Sequence, residues 1–283
     1  PDRVLYPEQG ITKRDLAQYY ERIAGAILPH LEGRPLTLVR CPQGQQRACF
    51  YQRHTRDAAS EHIRAIAARE KGKTARYLSV DSLPGLIALV QMGVLELHTW
   101  GSRAPRIERP DRMTFDLDPG PQVGWEEIQQ GAMRLRALLH DLDLGAFVKT
   151  TGGKGLHVVV PIAPEQSWNF VKDFSRALAE SVARGAPDRY IATMSKAKRE
   201  GKIFIDYLRN SRTATAVCAY STRARPGATV SMPLRWEDLK KDPRASFTVR
   251  SVPERLGRRG KDPWQDYEAA RRPLTAKLLR RLK

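Results

Sequence analysis

The chain has 283 residues, of which 41% are hydrophobic and 28% are charged. These proportions are typical of a globular protein with a large core, and no apolar run is long enough for a transmembrane helix. The 49 lysines and arginines exceed the 31 acids, which gives a net charge of +18 and an isoelectric point near 10.2. Such a balance favours a polyanionic partner, most often a nucleic acid. An anionic membrane surface is the alternative, but no basic amphipathic helix dominates the chain.

The N-terminus and the cysteines indicate the cellular context. The chain begins at Pro1 with neither a signal-peptide pattern nor an initiator methionine, so we expect an excised domain or a processed chain. Its cysteines, Cys41, Cys49 and Cys218, are odd in number and form no Cys-x-x-Cys pair, which argues against a disulfide framework and against a zinc ribbon. We therefore expect reduced, buried thiols in a cytoplasmic protein.

The first hundred residues are predicted to contain both helices and strands. Thr12 is a candidate N-cap, and the spacing of the apolar residues after it predicts an amphipathic helix over residues 12–30. The other predicted elements are a hairpin of strands 36–40 and 49–53, a helix over 58–70, a basic loop at 71–73, a short strand over 76–80, a buried helix over 83–92 and a strand over 94–100.

Four residues of this part are candidates for contacts with an anion or a nucleic acid, and a fifth, His98, is weighed as a catalytic residue. Arg3 and Lys13 flank the start of the first helix and could bind an anion there, although solvated surface charge is the simpler interpretation. Phe50 and Tyr51 are adjacent, so a regular strand would expose one of them for base stacking, with a core position as the alternative. His98 lies at a strand end, where a structural role is more common than a catalytic one.

Residues 113–118 are predicted to form a strand that ends in two acids. Because alternate side chains of a strand share a face, Asp116 and Asp118 project to one side, while Phe115 and Leu117 point into a core. Two carboxylates on one face repel each other unless a cation lies between them, and Mg²⁺ and Mn²⁺ prefer such oxygen ligands. The pattern indicates a metal site, with a solvated strand end as the alternative.

A glycine-rich loop joins two further predicted strands, 147–150 and 158–161. The loop reads Thr151-Gly152-Gly153-Lys154-Gly155-Leu156-His157 and combines accessible backbone N–H groups with a positive charge, which suits a phosphate. It is neither a Walker A loop, because a glycine follows the lysine, nor a dinucleotide fingerprint. A glycine-rich hairpin turn is the alternative. The histidine that ends the motif lies within reach of whatever the loop binds.

A second apolar strand with an embedded acid is predicted at residues 203–209. An aspartate inside a strand is costly to bury without a partner, so Asp206 needs a cation, and the first acidic strand is where we expect to find one. The remaining predictions are a helix over 125–140, a helix capped by Ser167, a basic loop at 196–202 that either is solvated or contacts nucleic acid, and short helices near 264–272 and 274–282.

Taken together, these residues fit one chemistry. Two hard cations held by Asp116, Asp118 and Asp206 could clamp a nucleoside triphosphate, activate a primer 3′-hydroxyl and stabilise the pyrophosphate leaving group. No protein nucleophile is needed. The same carboxylates could instead activate water in a metal-dependent nuclease, or they could be structural in a non-catalytic module that binds DNA ends.

Three motifs carry a resemblance to a known family. Phe-Asp-Leu-Asp-Pro at 115–119, Thr-Gly-Gly-Lys-Gly-Leu-His at 151–157 and Phe-Ile-Asp-Tyr-Leu-Arg-Asn at 204–210 occur in this order. They resemble the polymerase domain of bacterial ATP-dependent DNA ligase D, within the archaeo-eukaryotic primase superfamily. The resemblance implies an α+β fold, in which a primase-like catalytic core of mixed or antiparallel β-sheets is flanked by helices and the acidic strands are neighbours. It also implies one primase-polymerase domain over 1–283, with a DNA-end binding part at 1–110, a metal- and nucleotide-binding core at 111–236 and a basic C-terminal wrap at 237–283.

The resemblance also implies roles for individual residues. The metal ligands and catalytic acids would be Asp116, Asp118 and Asp206. The nucleotide site would comprise His98 near the sugar, Thr151 where a serine is frequent, Gly153, Lys154, His157, Arg209 and Arg223. The DNA contacts would be made by Arg3 and Lys13 at a 5′-phosphate, by Phe50 or Tyr51 against the template, and by Arg199 on a loop used in DNA-end synapsis.

The implied activity is that of a nucleotidyltransferase that fills gaps and extends DNA ends in bacterial non-homologous end joining. By resemblance, it would prefer ribonucleotides and use two Mn²⁺ or Mg²⁺ ions. The cysteine spacing offers no zinc module of the replicative primase type, which favours repair over priming. The expected partners are nucleoside triphosphates, DNA with ends, gaps or a 5′-phosphate, ligase and phosphoesterase modules of the same polypeptide, and a bacterial Ku. The expected location is the cytoplasm, in association with the nucleoid.

Overall fold

The computed structural model describes residues 1–55, 60–70, 72–259 and 262–282. Their contacts define two compact units, each built from separate stretches of the chain. The first unit comprises Pro1–Ile107, Thr215–Met232 and Ala245–Asp262, and the second comprises Glu108–Ala214, Pro233–Arg244 and Pro263–Lys283. The expected C-terminal wrap is therefore divided between both units, and the expectation of a single domain stays a prediction. No helix in these described ranges is long and apolar enough to cross a bilayer.

Helices and strands occur in both units. The helices are α1 (Lys13–Leu31), α2 (Leu83–Gln91), α3 (Trp125–Asp141), α4 (Trp168–Gly185), α5 (Ser251–Arg259) and α6 (Ala276–Arg280). The strands are β1 (Val4–Tyr6), β2 (Ile11–Thr12), β3 (Leu36–Arg40), β4 (Phe50–Gln52), β5 (Arg64–Glu70), β6 (Lys73–Ser79), β7 (Val94–Thr99), β8 (Arg112–Pro119), β9 (Phe147–Thr150), β10 (Leu156–Pro161), β11 (Tyr190–Ile191), β12 (Ile203–Asp206), β13 (Ala216–Val217) and β14 (Pro233–Leu234).

The first unit is built around an antiparallel sheet with the strand order β13-β7-β3-β4. Helix α1 starts as predicted, because Thr12 and Asp15 form a capping box in which each side chain accepts a hydrogen bond from the other residue's backbone N–H. Its buried face carries Leu16, Tyr19 and Ile23 at helical spacing. The predicted helix 12–30, hairpin 36–40/49–53, helix 83–92 and strand 94–100 are confirmed.

The predicted helix over 58–70 is wrong. Residues 64–70 form strand β5, which pairs with β6 in antiparallel register from Arg64↔Ser79 to Glu70↔Lys73. The alanines and charged residues of this stretch are good helix formers, but cross-strand pairing overrides that weak preference. Gly72 supplies the positive φ of +80° that the tight connection requires. Residues 58 and 59, and Lys71 of the predicted basic loop, lie outside the described residues.

The expectation that all three cysteines are reduced is also wrong. Cys41 and Cys49 form a disulfide with a Cα–Cα distance of 4.4 Å, whereas Cys218 is a buried free thiol. The two bonded cysteines meet because strands β3 and β4, which they adjoin, pair as a hairpin. An odd cysteine count without a Cys-x-x-Cys pair does not reveal such a contact. Near the C-terminus, the predicted helix over 264–272 is wrong, because residues 264–270 form turns and Arg272 forms an isolated β-bridge with Ile162, and helix α5 was not predicted.

The second unit contains a mixed sheet with the strand order β11-β12-β8-β10-β9-β14, in which only the β11–β12 pair is parallel among the pairs that the structure describes. The α+β fold and the adjacency of the two acidic strands are thus confirmed. Phe115 and Leu117 of β8 are fully buried. Helix α3 packs against this apolar face, since a Cβ at Gly131 would lie 3.6 Å from the Leu117 side chain. The opposite face of β8 carries the acids.

Candidate active site

A row of charged and polar residues crosses the sheet of the second unit. In the antiparallel pairs, Asp206 of β12 lies opposite Asp116 of β8, Asp116 lies opposite His157 of β10, and His157 lies opposite Lys149 of β9. Directly opposed residues place their side chains on the same face of a sheet. Asp118 is two residues beyond Asp116 on β8 and shares that face. The structure therefore brings together the three acids that the sequence predicted, together with His157.

Arg209 bridges two of these acids. It follows β12 in a 3-10 turn, and its guanidinium donates to Asp116 Oδ2 over 3.0 Å and pairs with Asp206 Oδ2 over 3.2 Å. Asn210 fixes this turn on β8, because its side chain donates to the Thr114 carbonyl over 2.9 Å and accepts from the Thr114 N–H over 2.7 Å. Sequence reasoning missed Asn210, although it ends the third quoted motif and is a buried polar residue.

Arg199 contacts the third acid. Its Nη1 donates to Asp118 Oδ2 over 3.0 Å, and its guanidinium stacks 4.0 Å from the centre of the Phe204 ring. Its Nη2 donates to the Met194 carbonyl over 3.1 Å, so Arg199 connects the chain at residue 194 to the acidic strand. A Cβ at Gly120 would collide with the Arg199 carbonyl, so glycine is required at that close approach. The synaptic role implied for Arg199 stays a prediction.

The acids influence one another electrostatically. Burial would raise the pKa of Asp116, but His157 and Arg209 outweigh it and hold that pKa well below its usual range. Burial raises the pKa of Asp118 and that of Asp206, and the negative charge of Asp116 adds to both shifts. Burial lowers the pKa of His157 to about 4, and the positive charge of Lys149 contributes. Mutually repelling carboxylates on one face would be relieved by a cation between them.

The donor set fits hard divalent cations, which prefer carboxylate oxygens. In the described parts of the chain, no trio of acidic, histidine or cysteine side chains is grouped as a ready metal site. Instead, Arg209 pairs with Asp116 and Asp206, and Arg199 pairs with Asp118. The two guanidinium groups therefore compensate the same negative charge that bound cations would compensate.

The glycine-rich loop, Thr151–Gly155, lies against the acidic strand. A Cβ at Gly155 would collide with the Leu117 carbonyl, between the two acids of β8. Within the loop, the Thr151 hydroxyl donates to the Gly155 carbonyl over 3.1 Å and accepts from the Gly153 N–H over 3.2 Å. The exposed Lys154 is close enough to Asp118 that its positive charge, with those of Arg199 and Arg209, partly offsets the rise in the pKa of that acid. The Thr151 hydroxyl thus has a structural role in the loop. The Lys154 ammonium lies near enough to the carboxylates of β8 to act on Asp118.

His98 and Arg223 belong to the first unit, where a shared acid holds them. Glu96 Oε2 lies 2.7 Å from His98 Nε2 and 3.1 Å from Arg223 Nε, and Glu96 Oε1 accepts from the Ala224 N–H over 2.9 Å. Burial opposes the charge of Glu96, but these partners outweigh it and lower its pKa to about 2. Sequence reasoning missed Glu96, although the argument used for Asp206 applies to an acid inside the apolar strand β7.

The residues expected to contact DNA also lie in the first unit, except Arg199. Lys13 Nζ donates to the Gln91 carbonyl over 2.6 Å, and its pKa is lowered by burial and by the charge of nearby Arg3. The Lys13 N–H also donates to the Arg3 carbonyl over 2.9 Å, so the two residues are neighbours, and their role at a 5′-phosphate stays a prediction. Both candidate aromatics are exposed, Phe50 to 47% and Tyr51 to 72%, so the alternative of a core position is wrong for both.

Comparison with known proteins shows the family of this chain. Residues 12–264 match the family model described as LigD, primase-polymerase domain. The chain belongs to the LigD primase-polymerase family. Family membership makes it a nucleotidyltransferase of the polymerase class.

Similar LigD proteins and one solved LigD domain match across most of the chain. The multifunctional non-homologous end joining protein LigD of Pseudomonas aeruginosa is 40% identical over 287 residues, which cover 100% of this chain and 34% of that protein. The bifunctional LigD of Bacillus subtilis is 26% identical over 92% of this chain and 42% of its own length. The polymerase domain of Mycobacterium tuberculosis ligase D, solved in complex with DNA, has a TM-score of 0.88 and 32% identity over 95% of this chain and 96% of that one. The chain thus spans about a third of the first of these relatives.

Proposed function

We propose that this chain extends the 3′-hydroxyl of a primer at DNA ends and gaps, with a preference for ribonucleotides, during non-homologous end joining. The observation that carries the proposal is the meeting of Asp116, Asp118 and Asp206 on one sheet face, with the glycine-rich loop against the same strand. This arrangement combines oxygen ligands for cations with a positively charged loop for phosphates.

The acids and the loop would divide the work. Two Mn²⁺ or Mg²⁺ ions, when bound at the three aspartates, would lower the pKa of the primer hydroxyl and stabilise the pyrophosphate leaving group. Thr151 would keep the loop closed, so that the Gly153 backbone and the Lys154 ammonium can hold the triphosphate. Arg209 already contacts two of the acids and is placed to pair with a phosphate oxygen once cations take over those carboxylates.

Other residues of the chain would bind the remaining parts of the substrates. His157 holds Asp116 in place and would reach the triphosphate beyond it. His98 and Arg223, fixed by Glu96, would contact the nucleotide, as the family resemblance implies. Arg3 and Lys13 would bind a 5′-phosphate at a break. The exposed Phe50 and Tyr51 would stack on template bases, and aromatic stacking of this kind tolerates any base sequence.

The chain would work as one module among others. Ligase and phosphoesterase modules of the same polypeptide would process and seal the ends that this module extends, and a bacterial Ku would deliver them. These partners, and a cytoplasmic location at the nucleoid, are supported by the named function of the LigD relatives and by the basic charge of the chain.

A primer-extension assay tests the proposal. A labelled primer–template with a 5′-phosphorylated gap is incubated with Mn²⁺ or Mg²⁺, with and without ribo- or deoxynucleoside triphosphates. We expect lengthening that needs both metal and nucleotide, that is greater with ribonucleotides, and that Asp206→Asn abolishes. Shortening of the DNA in Mn²⁺ without nucleotides would instead identify a nuclease. DNA binding with neither product would identify a non-catalytic end-binding module.

A further inference from the structure

Arg244 reaches the glycine-rich loop from a distant part of the second unit. Its Nη1 donates to the carbonyl oxygen of Lys154 over 3.2 Å. Arg244 lies at the end of the Pro233–Arg244 stretch, within the part of the chain expected to form a basic C-terminal wrap. This hydrogen bond connects that stretch to the loop that lies against the acidic strand.

The charge of Arg244 is already compensated by Asp242. The Nε atom of Arg244 donates to Asp242 Oδ1 over 2.9 Å and to Oδ2 over 3.0 Å, and its Nη2 donates to Oδ2 over 2.6 Å. This fork geometry is specific to arginine, because a lysine has a single ammonium group. With its charge paired to a carboxylate, Arg244 is suited to hold the loop and not to attract a phosphate from solution.

Arg244 also contacts helix α3. The guanidinium lies 5.2 Å from the centre of the Trp125 ring, in a cation–π arrangement. Trp125, the first residue of α3, also donates through its indole Nε1 to the Leu239 carbonyl over 3.2 Å. The helix that packs under the acidic strand thereby anchors the segment that carries Arg244, so the guanidinium has a fixed position relative to the loop.

The hydrogen bond sets the direction of one peptide group in the loop. A peptide group is planar and trans, so its carbonyl and its N–H point in opposite directions. Because the Lys154 carbonyl points toward Arg244, the N–H of Gly155 points the other way. A carbonyl oxygen turned toward a bound phosphate would repel it, whereas an N–H would bind it.

We propose that Arg244 is a positioning residue that presets the glycine-rich loop for a triphosphate by holding the Lys154 carbonyl away from the anion. The inference rests on the proposed role of that loop in nucleotide binding. A loop ordered before the substrate arrives loses less conformational entropy when the substrate binds. Arg244 thus acts through the loop and need not touch the substrate itself.

Arg244→Ala and Arg244→Lys test the proposal in the full 283-residue chain. The readouts are the Kd for ATP with Mn²⁺, the Kd for inorganic tripolyphosphate, and hydrogen exchange of the amides of residues 151–156. For each variant we expect both Kd values to rise about tenfold, because one charge-assisted hydrogen bond is lost. The amides of the loop should also exchange faster. The affinity for a DNA duplex and the thermal midpoint should change little.

Arg109→Ala is a matched control. Arg109 also donates through Nη1 to a backbone carbonyl, that of Glu165, over 2.9 Å, but it lies next to the other end of β8. Its removal deletes the same charge and the same type of contact, and we expect unchanged nucleotide affinity and loop exchange. An equal loss in Arg109→Ala would show a general effect of charge and overturn the proposal.

Three further outcomes distinguish a failure of this inference from a failure of the proposed function. If the unmodified chain binds ATP and extends primers while Arg244→Ala does so equally well, the positioning role is wrong and the proposed function stands. Wild-type affinity in Arg244→Lys would show that charge alone suffices, which also overturns the positioning role. If the unmodified chain binds neither ATP nor tripolyphosphate, the proposed function of the loop is wrong and the inference is lost with it.

Discussion

Asp206 of β12 lies directly opposite Asp116 of β8, so two acids from distant parts of the sequence share one face of the sheet. Arg209 pairs with both, over 3.2 and 3.0 Å respectively. The pKa values of the two carboxylates are nevertheless shifted in opposite directions. The pKa of Asp116 lies well below its usual value because His157 and Arg209 outweigh its burial, whereas burial and the charge of Asp116 raise the pKa of Asp206.

This difference predicts opposite effects of two similar substitutions on stability. An acid whose pKa is lowered by folding stabilises the protein in its charged form, and an acid whose pKa is raised destabilises it in that form. At pH 7 with EDTA, Asp116→Asn should lower the free energy of unfolding by about 1.5 kcal/mol, because it removes the charged partner of Arg209, whose side chain is 41% exposed so that solvent screens part of the interaction. Asp206→Asn should leave that free energy unchanged or raise it. Urea denaturation measures both.

Primer extension, unlike stability, should respond in the same way to Asp116→Asn and Asp206→Asn. Both asparagine variants should lose primer extension, since each removes a proposed metal ligand, although only one of them is less stable. A loss of stability in Asp206→Asn as large as that in Asp116→Asn would show that the proposed electrostatic difference between the two acids is wrong.

The positions of the acids could be predicted from sequence, but the contacts they make could not. Alternation along a strand was enough to place Asp116 and Asp118 on one face, and the cost of an acid in an apolar strand was enough to link Asp206 to them. The Arg209 bridge depends on the register between β8 and β12 and on the turn that Asn210 fixes. Alternation within each strand fixes which face an acid occupies, but a shift of two residues between β8 and β12 would keep the same faces, so the pattern alone does not fix which residues lie opposite each other.

Glu96 predicts a specific loss of stability in acid. Its pKa is 4.5 in the unfolded chain and about 2 in the fold. The stabilisation of the fold by charged Glu96 is therefore fully present above about pH 4.5 and is lost as the pH falls toward 2. The shift corresponds to roughly 3 kcal/mol at neutral pH. Glu96→Gln should lower the free energy of unfolding by about that amount at pH 7, and the difference from wild type should shrink steadily below pH 4.5.

A surface ion pair supplies the control for Glu96. Glu108 pairs with Arg212 over 2.6 Å, but its side chain is 57% exposed, so solvent screens the interaction. Glu108→Gln should cost less than about 1 kcal/mol at pH 7. If Glu96→Gln has an equally small effect that does not vary with pH, the buried carboxylate does not hold His98 and Arg223 through its charge.

Asn210→Ala should affect stability and catalysis together. The substitution leaves the Thr114 N–H and carbonyl without their side-chain partners in a buried position, which costs about 2 kcal/mol. It also releases the turn that carries Arg209, so primer extension should fall by at least about tenfold even where the protein remains folded. Thermal unfolding and single-turnover extension at low temperature separate the two effects. Extension at the wild-type rate in a destabilised variant would limit Asn210 to a structural role.

Gly155→Ala should disturb the site because the new Cβ would collide with the Leu117 carbonyl. Since that carbonyl belongs to the strand that carries the acids, either the loop or the strand must shift. We expect the KM for the nucleotide to rise at least about tenfold and primer extension to fall. Gly25→Ala is the control: its Cβ meets nothing within 4 Å in helix α1, and alanine there should stabilise the helix by about 1 kcal/mol. Unchanged kinetics in Gly155→Ala would show that the loop need not lie against the strand.

The errors of sequence interpretation have physical causes of their own. Residues 64–70 are rich in helix-forming alanine, yet the partner strand β6 directs them into a hairpin. Cys41 and Cys49 meet because strands β3 and β4 pair, and the amino-acid composition does not show which strands pair. Glu96 was not predicted, although an acid inside an apolar strand is more costly to bury than the histidine two residues later.

Lys13 should be selective for the 5′-phosphate of a break. It lies beside Arg3, whose charge contributes to lowering its pKa, so the two cations form a concentrated positive site that a phosphate dianion would relieve. Lys13→Ala should weaken binding to a 5′-phosphorylated gap about tenfold and reduce the slope of log K against log salt by about 1. Arg14→Ala is the neighbouring control, because Arg14 is exposed and pairs with Asp2 over 2.9 Å. Fluorescence anisotropy on phosphorylated and hydroxyl-ended gaps measures both variants, and an equal loss by Lys13→Ala on the two substrates would rule out phosphate recognition by this residue.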